Sequence, residues 1–320
     1  MIGPMNRRQF IGGLGGLVAV SALPSWADDP AVFPTRGKFE RLVLAYRQIE
    51  IGLKEPFSVL HISDTHLTAA YPNEPEDKQQ LRKARTQTFG GRQEEALRDS
   101  LAWAKENVDY VIHTGDLIDW QSEANFDLVK KYYGGAMTGS MGNHEFSPSM
   151  WLSKPKEERT EAWKDRTRAK LQATYPFDIS LQSQVVKGVN FVTLDDVYGY
   201  VTAGQVERFK AEVRKGLPIV LCMHVPFHTE NTWRWTKRFW SNGGRKFRDA
   251  QVPCPTGDYL AQKEDPVTRD FIAYLKEEKL LRGILAGHEH ITMQDRFSPS
   301  AMEFVVGGNF MFHGEEILFV

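Results

Sequence analysis

Five short blocks concentrate the side chains best suited to binding divalent metal ions. They are Asp64-Thr65-His66, Gly115-Asp116, Gly142-Asn143-His144-Glu145, Met223-His224 and Gly287-His288-Glu289-His290. Five of the nine histidines in the chain fall inside them. The donors are imidazole nitrogens and carboxylate or amide oxygens, with no thiolate. Such a set accepts Mn, Fe or Zn, and seven donors suffice for two divalent ions that share one carboxylate. The candidate ligands are Asp64, His66, Asp116, Asn143, His224, His288 and His290. Asp116, the lone carboxylate between the two halves of the set, is the natural bridge.

The elements that must carry these blocks are strands. Apolar, β-branched runs precede each block: Phe57–Ile62, Val108–His113, Ala136–Met141, Pro218–Met223 and Gly283–Ala286. Ligands in open α/β sheets gather at the carboxyl ends of strands, where all five blocks lie. Asp64 and His66 are two residues apart, so extended backbone would aim both to one side, and His288 and His290 repeat that spacing. Gly115, Gly142 and Gly287 precede ligands, where the chain must turn sharply or pass close to an ion. Helical patterns over 94–107, 124–133, 157–173, 204–215 and 265–280 alternate with these and with further strands at 41–51, 189–194, 303–306 and 316–320. The rhythm is α/β with one core and no internal repeat. Two segments break it and read as insertions: Ala69–Arg92, which is polar, and Pro226–Asp258, which mixes tryptophans with arginines and lysines. The second suggests a lid over an anionic or aromatic substrate.

Asp-x-His, Gly-Asp, Gly-Asn-His-Glu, His and Gly-His-x-His, in that order, resemble the signature of the calcineurin-like metallophosphoesterase family. The resemblance runs from about residue 57 to 310. It implies a four-layer α/β/β/α sandwich, in which two mixed sheets are flanked by helices. It implies Asp64, His66, Asp116 and His290 on a first metal, and Asp116, Asn143, His224 and His288 on a second. It implies hydrolysis of a phosphomonoester or phosphodiester by a water activated between the two ions. His144 would contact the phosphate and protonate the leaving group as general acid. Asn143, His144 and His228 are the candidate substrate contacts. Asp119 is either a carboxylate orienting a ligand histidine or a helix N-cap. The chain also departs from subfamily patterns. Asp119 stands where purple acid phosphatases have Tyr. No Arg-Gly follows the Gly-Asp block as in protein Ser/Thr phosphatases. Nothing matches the second domain of periplasmic 5′-nucleotidases.

The first 27 residues resemble a twin-arginine export signal: Arg7-Arg8 precede an apolar stretch, and Ser25-Trp26-Ala27 offers a cleavage site. The expectation is a chain exported by the twin-arginine machinery to a periplasmic or extracellular location, with residues 28–320 as the phosphoesterase domain. No run approaches the length of a membrane span. With 40 Lys+Arg against 41 Asp+Glu the net charge is -1, a poor basis for bulk nucleic-acid binding. The partner expected is a small-molecule phosphate ester. An exported nuclease or nucleotide phosphodiesterase is the alternative, and a non-catalytic scaffold the alternative of another class. Cys222 sits in an apolar strand and reads as a core residue, although a bridge to Cys254 is open. His61 and His113, inside strands, read as packing or supporting residues, and His313 as surface.

Overall fold

The structure is a computed structural model, which describes residues 32–34, 37–134, 137–148, 160–242 and 265–320. The export signal, Cys254 and the second half of the Trp/Arg-rich insertion lie outside the described residues.

Twelve described strands form two six-stranded sheets. They are β1 (Val32–Pro34), β2 (Val43–Ile49), β3 (Phe57–Ile62), β4 (Tyr110–Thr114), β5 (Met137–Ser140), β6 (Leu181–Val186), β7 (Val189–Leu194), β8 (Ile219–Cys222), β9 (Leu281–Ala286), β10 (Met293–Arg296), β11 (Met302–Val305) and β12 (His313–Phe319). One sheet runs β1-β2-β12-β3-β4-β5 and the other β10-β11-β9-β8-β7-β6. Both are mixed. In the first, β3, β4 and β5 are parallel and β12 runs against β3. In the second, β7, β8, β9 and β11 are parallel and the edges β6 and β10 reverse.

The helices are α1 (Glu76–Thr88), α2 (Gln93–Asn107), α3 (Glu123–Tyr133), α4 (Glu161–Thr174), α5 (Ala203–Val213), α6 (Glu230–Asn242) and α7 (Pro266–Glu277). Local chemistry starts several of them. Ser122 caps α3 by accepting from Asn125 N, Thr202 and Gln205 make a capping box on α5, and Asp265 caps α7 ahead of Pro266.

Strand alternation explains the layers. In β3, Phe57 and Val59 join Phe191, Val220, Leu285 and Phe304 of the other sheet in the core between sheets. Leu60 and Ile62 point the opposite way, onto Leu97, Trp103, Phe126 and Val129 of α2 and α3. A third core packs Val192, Leu221 and Ile284 against Phe209 of α5 and Phe271 and Leu275 of α7. The result is the expected α/β/β/α sandwich of two mixed sheets flanked by helices. Cys222 is a buried free thiol in the inter-sheet core, as read from its strand.

Neither insertion is structureless. Ala69–Arg92 contains α1, and Pro226–Asp258 begins with α6. The first was unreadable as a helix because only Leu81 of its 13 residues is buried. In α6 the inward residues are Thr232 and Thr236, whereas Trp235 and Phe239 are exposed. His313, expected at the surface, is half-buried, and burial lowers its pKa. No helix among the described residues is long and apolar enough to cross a membrane.

Candidate metal centre

The ends of β3, β4, β8 and β9, with the loop after β5, bring all seven candidate ligands into one cluster. Asp64, His66 and His290 form one group that could hold a metal ion; Asp116, His224 and His288 form a second. His66 Nε2 and His290 Nε2 are 3.1 Å apart, and His290 Nε2 is 3.4 Å from Asp64 Oδ1. In the second group His224 Nε2 lies 3.3 Å from Asp116 Oδ2, 3.2 Å from Asn143 Oδ1 and 3.1 Å from His288 Nδ1. One atom faces both groups. Asp116 Oδ2 is also 3.8 Å from His66 Nε2 and 3.8 Å from His144 Nε2.

The convergence does not come from strand pleat, as the two-residue spacings suggested. Asp64, His66, Asp116, His288 and His290 all adopt positive φ, between 51° and 70°. Side chains rarely accept that conformation, and it concentrates at functional sites. The left-handed turns send His290 toward Asp64 and His288 toward His224, so the pair serves two groups rather than one side. The neighbouring glycines allow the close approach. A Cβ on Gly142 would lie 2.1 Å from Asp116 Oδ1, and one on Gly287 would lie 1.9 Å from Ser63 Oγ.

Supporting residues fix the tautomers. His224 places Nδ1 2.7 Å from the Thr114 carbonyl, so Nδ1–H donates there and the Nε2 lone pair faces Asp116 and Asn143. His66 Nδ1 is 2.9 Å from Asp119 Oδ1, which leaves its Nε2 lone pair toward His290. Asp119 is therefore the orienting carboxylate, and Ser122, not Asp119, caps the following helix. Asp119 also lies 2.7 Å from His144 Nδ1.

These donors fit a cation. With His224 Nδ1–H given to Thr114, its Nε2 converges on Asp116 Oδ2 and Asn143 Oδ1, a gap suited to a proton or a bound cation. Asp64 Oδ2 accepts from His288 N, while its Oδ1 is buried without a hydrogen-bond partner and faces His290. Positive charge is favoured here: burial opposes it at His224, but Asp116 and Asp64 push that pKa up to about 10. His144 behaves alike, with burial outweighed by Asp116 and Asp119, and rises to about 9. His288 and His66, more affected by burial, fall to about 3 and about 4.

Several residues that hold the loops escaped the sequence reading. Glu145 is buried, and its carboxylate accepts from Asp116 N, Leu117 N, Ile118 N, Gly142 N and Tyr175 Oη. Burial and the Asp116 charge push its carboxyl up to about 7, against five donors that favour the ionised form. Asp196 Oδ1 accepts from His224 N at 3.0 Å and Val225 N at 3.2 Å. Asn309 takes the Thr65 hydroxyl on Oδ1 and donates its backbone N–H to Ser63 O. Position at a strand end, which marked the ligands, also marked Asp196, and Glu145 stood inside a block already singled out. His61 and His113 are buried supports, bonded to Glu315 and Thr114 and to Thr65. His228 lies against Trp233, 6.2 Å between rings, and belongs to none of the metal-competent groups.

A two-sheet sandwich with histidines and carboxylates converging at its strand ends makes a candidate metal-binding site. The chain belongs to the calcineurin-like phosphoesterase family, whose model matches residues 57–292. It is accordingly a phosphoester hydrolase. No curated protein matches it. Among solved structures it is similar to a dimetal phosphatase from Danio rerio, at 15% identity over 80% of this chain and 88% of that one, TM-score 0.44. It is also similar to a putative 5′-nucleotidase from Staphylococcus aureus, at 14% identity over 80% of this chain and 49% of that one, TM-score 0.38. A calcineurin-like phosphoesterase from Bacillus subtilis shares 11% identity over 80% of this chain and 82% of that one, TM-score 0.35.

Proposed function

We propose that the chain hydrolyses a small-molecule phosphate ester with two divalent ions, one held by Asp64, His66, Asp116 and His290 and the other by Asp116, Asn143, His224 and His288. The observation that carries this reading is the position of Asp116 Oδ2, which faces His66 of one group and His224 of the other. When bound, the ions would activate a water and neutralise charge on the phosphoryl oxygens. The protein's own residues do the rest. Asp119 and Thr114 fix the imidazoles so that their lone pairs meet the ions. His144 N donates to Asp116 Oδ1, which places the His144 ring beside the shared carboxylate. With Nδ1 held by Asp119, its Nε2–H is the proton offered to the leaving oxygen. Near-neutral charge favours a small ester over a nucleic acid.

The test is purified chain loaded with Mn, Fe or Zn and assayed on paired monoesters and diesters. Chelator-sensitive turnover that His144→Ala lowers by about 100-fold or more supports the reading. Turnover indifferent to chelator would overturn it. Export by the twin-arginine route is proposed from Arg7-Arg8, the apolar stretch that follows and the Ser25-Trp26-Ala27 site, and replacing both arginines with Lys should stop it; unchanged export would refute that route.

A further inference from the structure

The Asp119 carboxylate is gripped from outside the five ligand-bearing blocks. Arg85, on the inserted helix α1, sets Nε 2.5 Å from Asp119 Oδ2 and Nη2 2.9 Å from Oδ1. The same Oδ1 meets His66 Nδ1 and lies 2.7 Å from His144 Nδ1, which also donates to the Asp119 backbone carbonyl at 3.0 Å. The Arg85 side chain is 12% exposed, and its guanidinium lies over the Phe89 ring at 4.7 Å. Phe89, at the end of α1, stacks on His66 with 4.4 Å between ring centres and 13° between planes. One helix thus holds the His66 ring by its face and reaches both imidazoles through Asp119.

We propose that Arg85 is a positioning residue for the leaving-group proton, acting through Asp119 on His144. This rests on the reading of His144 as the general acid. A point charge at Arg85 would suffice merely to neutralise a buried carboxylate. The planar fork does more: it pins both carboxylate oxygens and so fixes the direction from which the carboxylate meets His144, while His66 keeps its own Oδ1 bond and the Phe89 stack. Lys78 on the same helix donates to the Gln121 and Pro148 carbonyls, which ties α1 to the adjoining loops after β4 and β5. The insertion that interrupts the fold's rhythm is therefore part of the acid's mounting.

Leaving groups separate the roles. An alkyl phosphate needs its leaving oxygen protonated; 4-nitrophenyl phosphate scarcely does. Arg85→Gln, Arg85→Lys and His144→Ala are compared on both esters, with bound metal and thermal unfolding measured for each. Arg85→Gln should lower kcat on the alkyl ester about 10- to 100-fold. It should lower kcat on the nitrophenyl ester by no more than about 3-fold, with KM and metal content near wild type. Arg85→Lys should fall between, since an ammonium neutralises without forking. Equal loss on both esters, loss of metal or fold, or a raised KM with kcat unchanged would each overturn the proposal, the last making Arg85 a direct substrate contact. A leaving-group split in His144→Ala but not in Arg85→Gln overturns it alone. No split in His144→Ala overturns the acid assignment and the proposal together.

Discussion

Glu145→Gln is a change of one atom whose cost can be worked from five hydrogen bonds. Glu145 Oε2 accepts from Asp116 N at 3.0 Å and Gly142 N at 2.8 Å. Oε1 accepts from Leu117 N at 2.7 Å, Ile118 N at 3.3 Å and Tyr175 Oη at 3.3 Å. In glutamine one of these ends becomes an NH2 donor. Whichever end it is, at least two buried backbone N–H groups lose their acceptor and face another donor. Each orphaned group costs about 1–3 kcal/mol, so the variant should lose roughly 2–6 kcal/mol. For a domain of this size that is a Tm drop of about 3–10 °C. The affected groups belong to the loops that carry Asp116 and Asn143, so metal affinity should fall about 10- to 100-fold as well. Calorimetry with and without added metal, alongside a metal titration, measures both. A Tm within about 2 °C of wild type together with unchanged metal affinity would refute the reasoning, because the five donors would then have another acceptor.

Three further predictions address other supports. Asp196→Ala should orphan His224 N and Val225 N and cost about 2–4 kcal/mol, seen as a denaturant midpoint shift with lowered metal affinity. Gly287→Ala should push against Ser63 and Asp64 and cost about 1–3 kcal/mol, with metal titration showing weakened binding while circular dichroism stays native. Lys164→Met breaks a buried pair, Lys164 Nζ to Asp195 Oδ2 at 2.9 Å, and should cost about 3–5 kcal/mol near pH 8. Burial already raises the Asp195 pKa in spite of Lys164, and removing the lysine raises it further. The proton is then bound more tightly in the folded state, so the loss should shrink as pH falls below that raised value and grow as pH rises through it. Unfolding of the variant at pH 5 and pH 8 measures the difference.

The candidate ligand set was legible because metal binding constrains residue type directly: an ion at a strand end would need histidine or a short carboxylate. The strands that carry them were legible because β3, β4, β7 and β8 are buried on both faces and read as largely apolar, β-branched runs. Edge strands β6 and β10, with exposed faces and sequences such as Leu181-Gln182-Ser183-Gln184, carried no such run. Helix α1 was hidden for a related reason. It is held by Arg85, Lys78 and its dipole-matched Glu76 and Asp77 rather than by an apolar stripe, so no periodicity announced it. The positive φ at five ligands was equally invisible, since it is imposed by the loops that Glu145, Asp196 and Asn309 tie down across the fold.

The central claim is that two divalent ions share Asp116. Metal analysis with Mn(II) spin-resonance spectroscopy on wild type and Asp116→Asn tests it most directly. Two ions per chain with a spin-coupled spectrum in the wild type, and loss of the coupling with weakened binding in the variant, is the outcome the structure predicts. A single ion per chain, or two whose coupling survives Asp116→Asn, would contradict it.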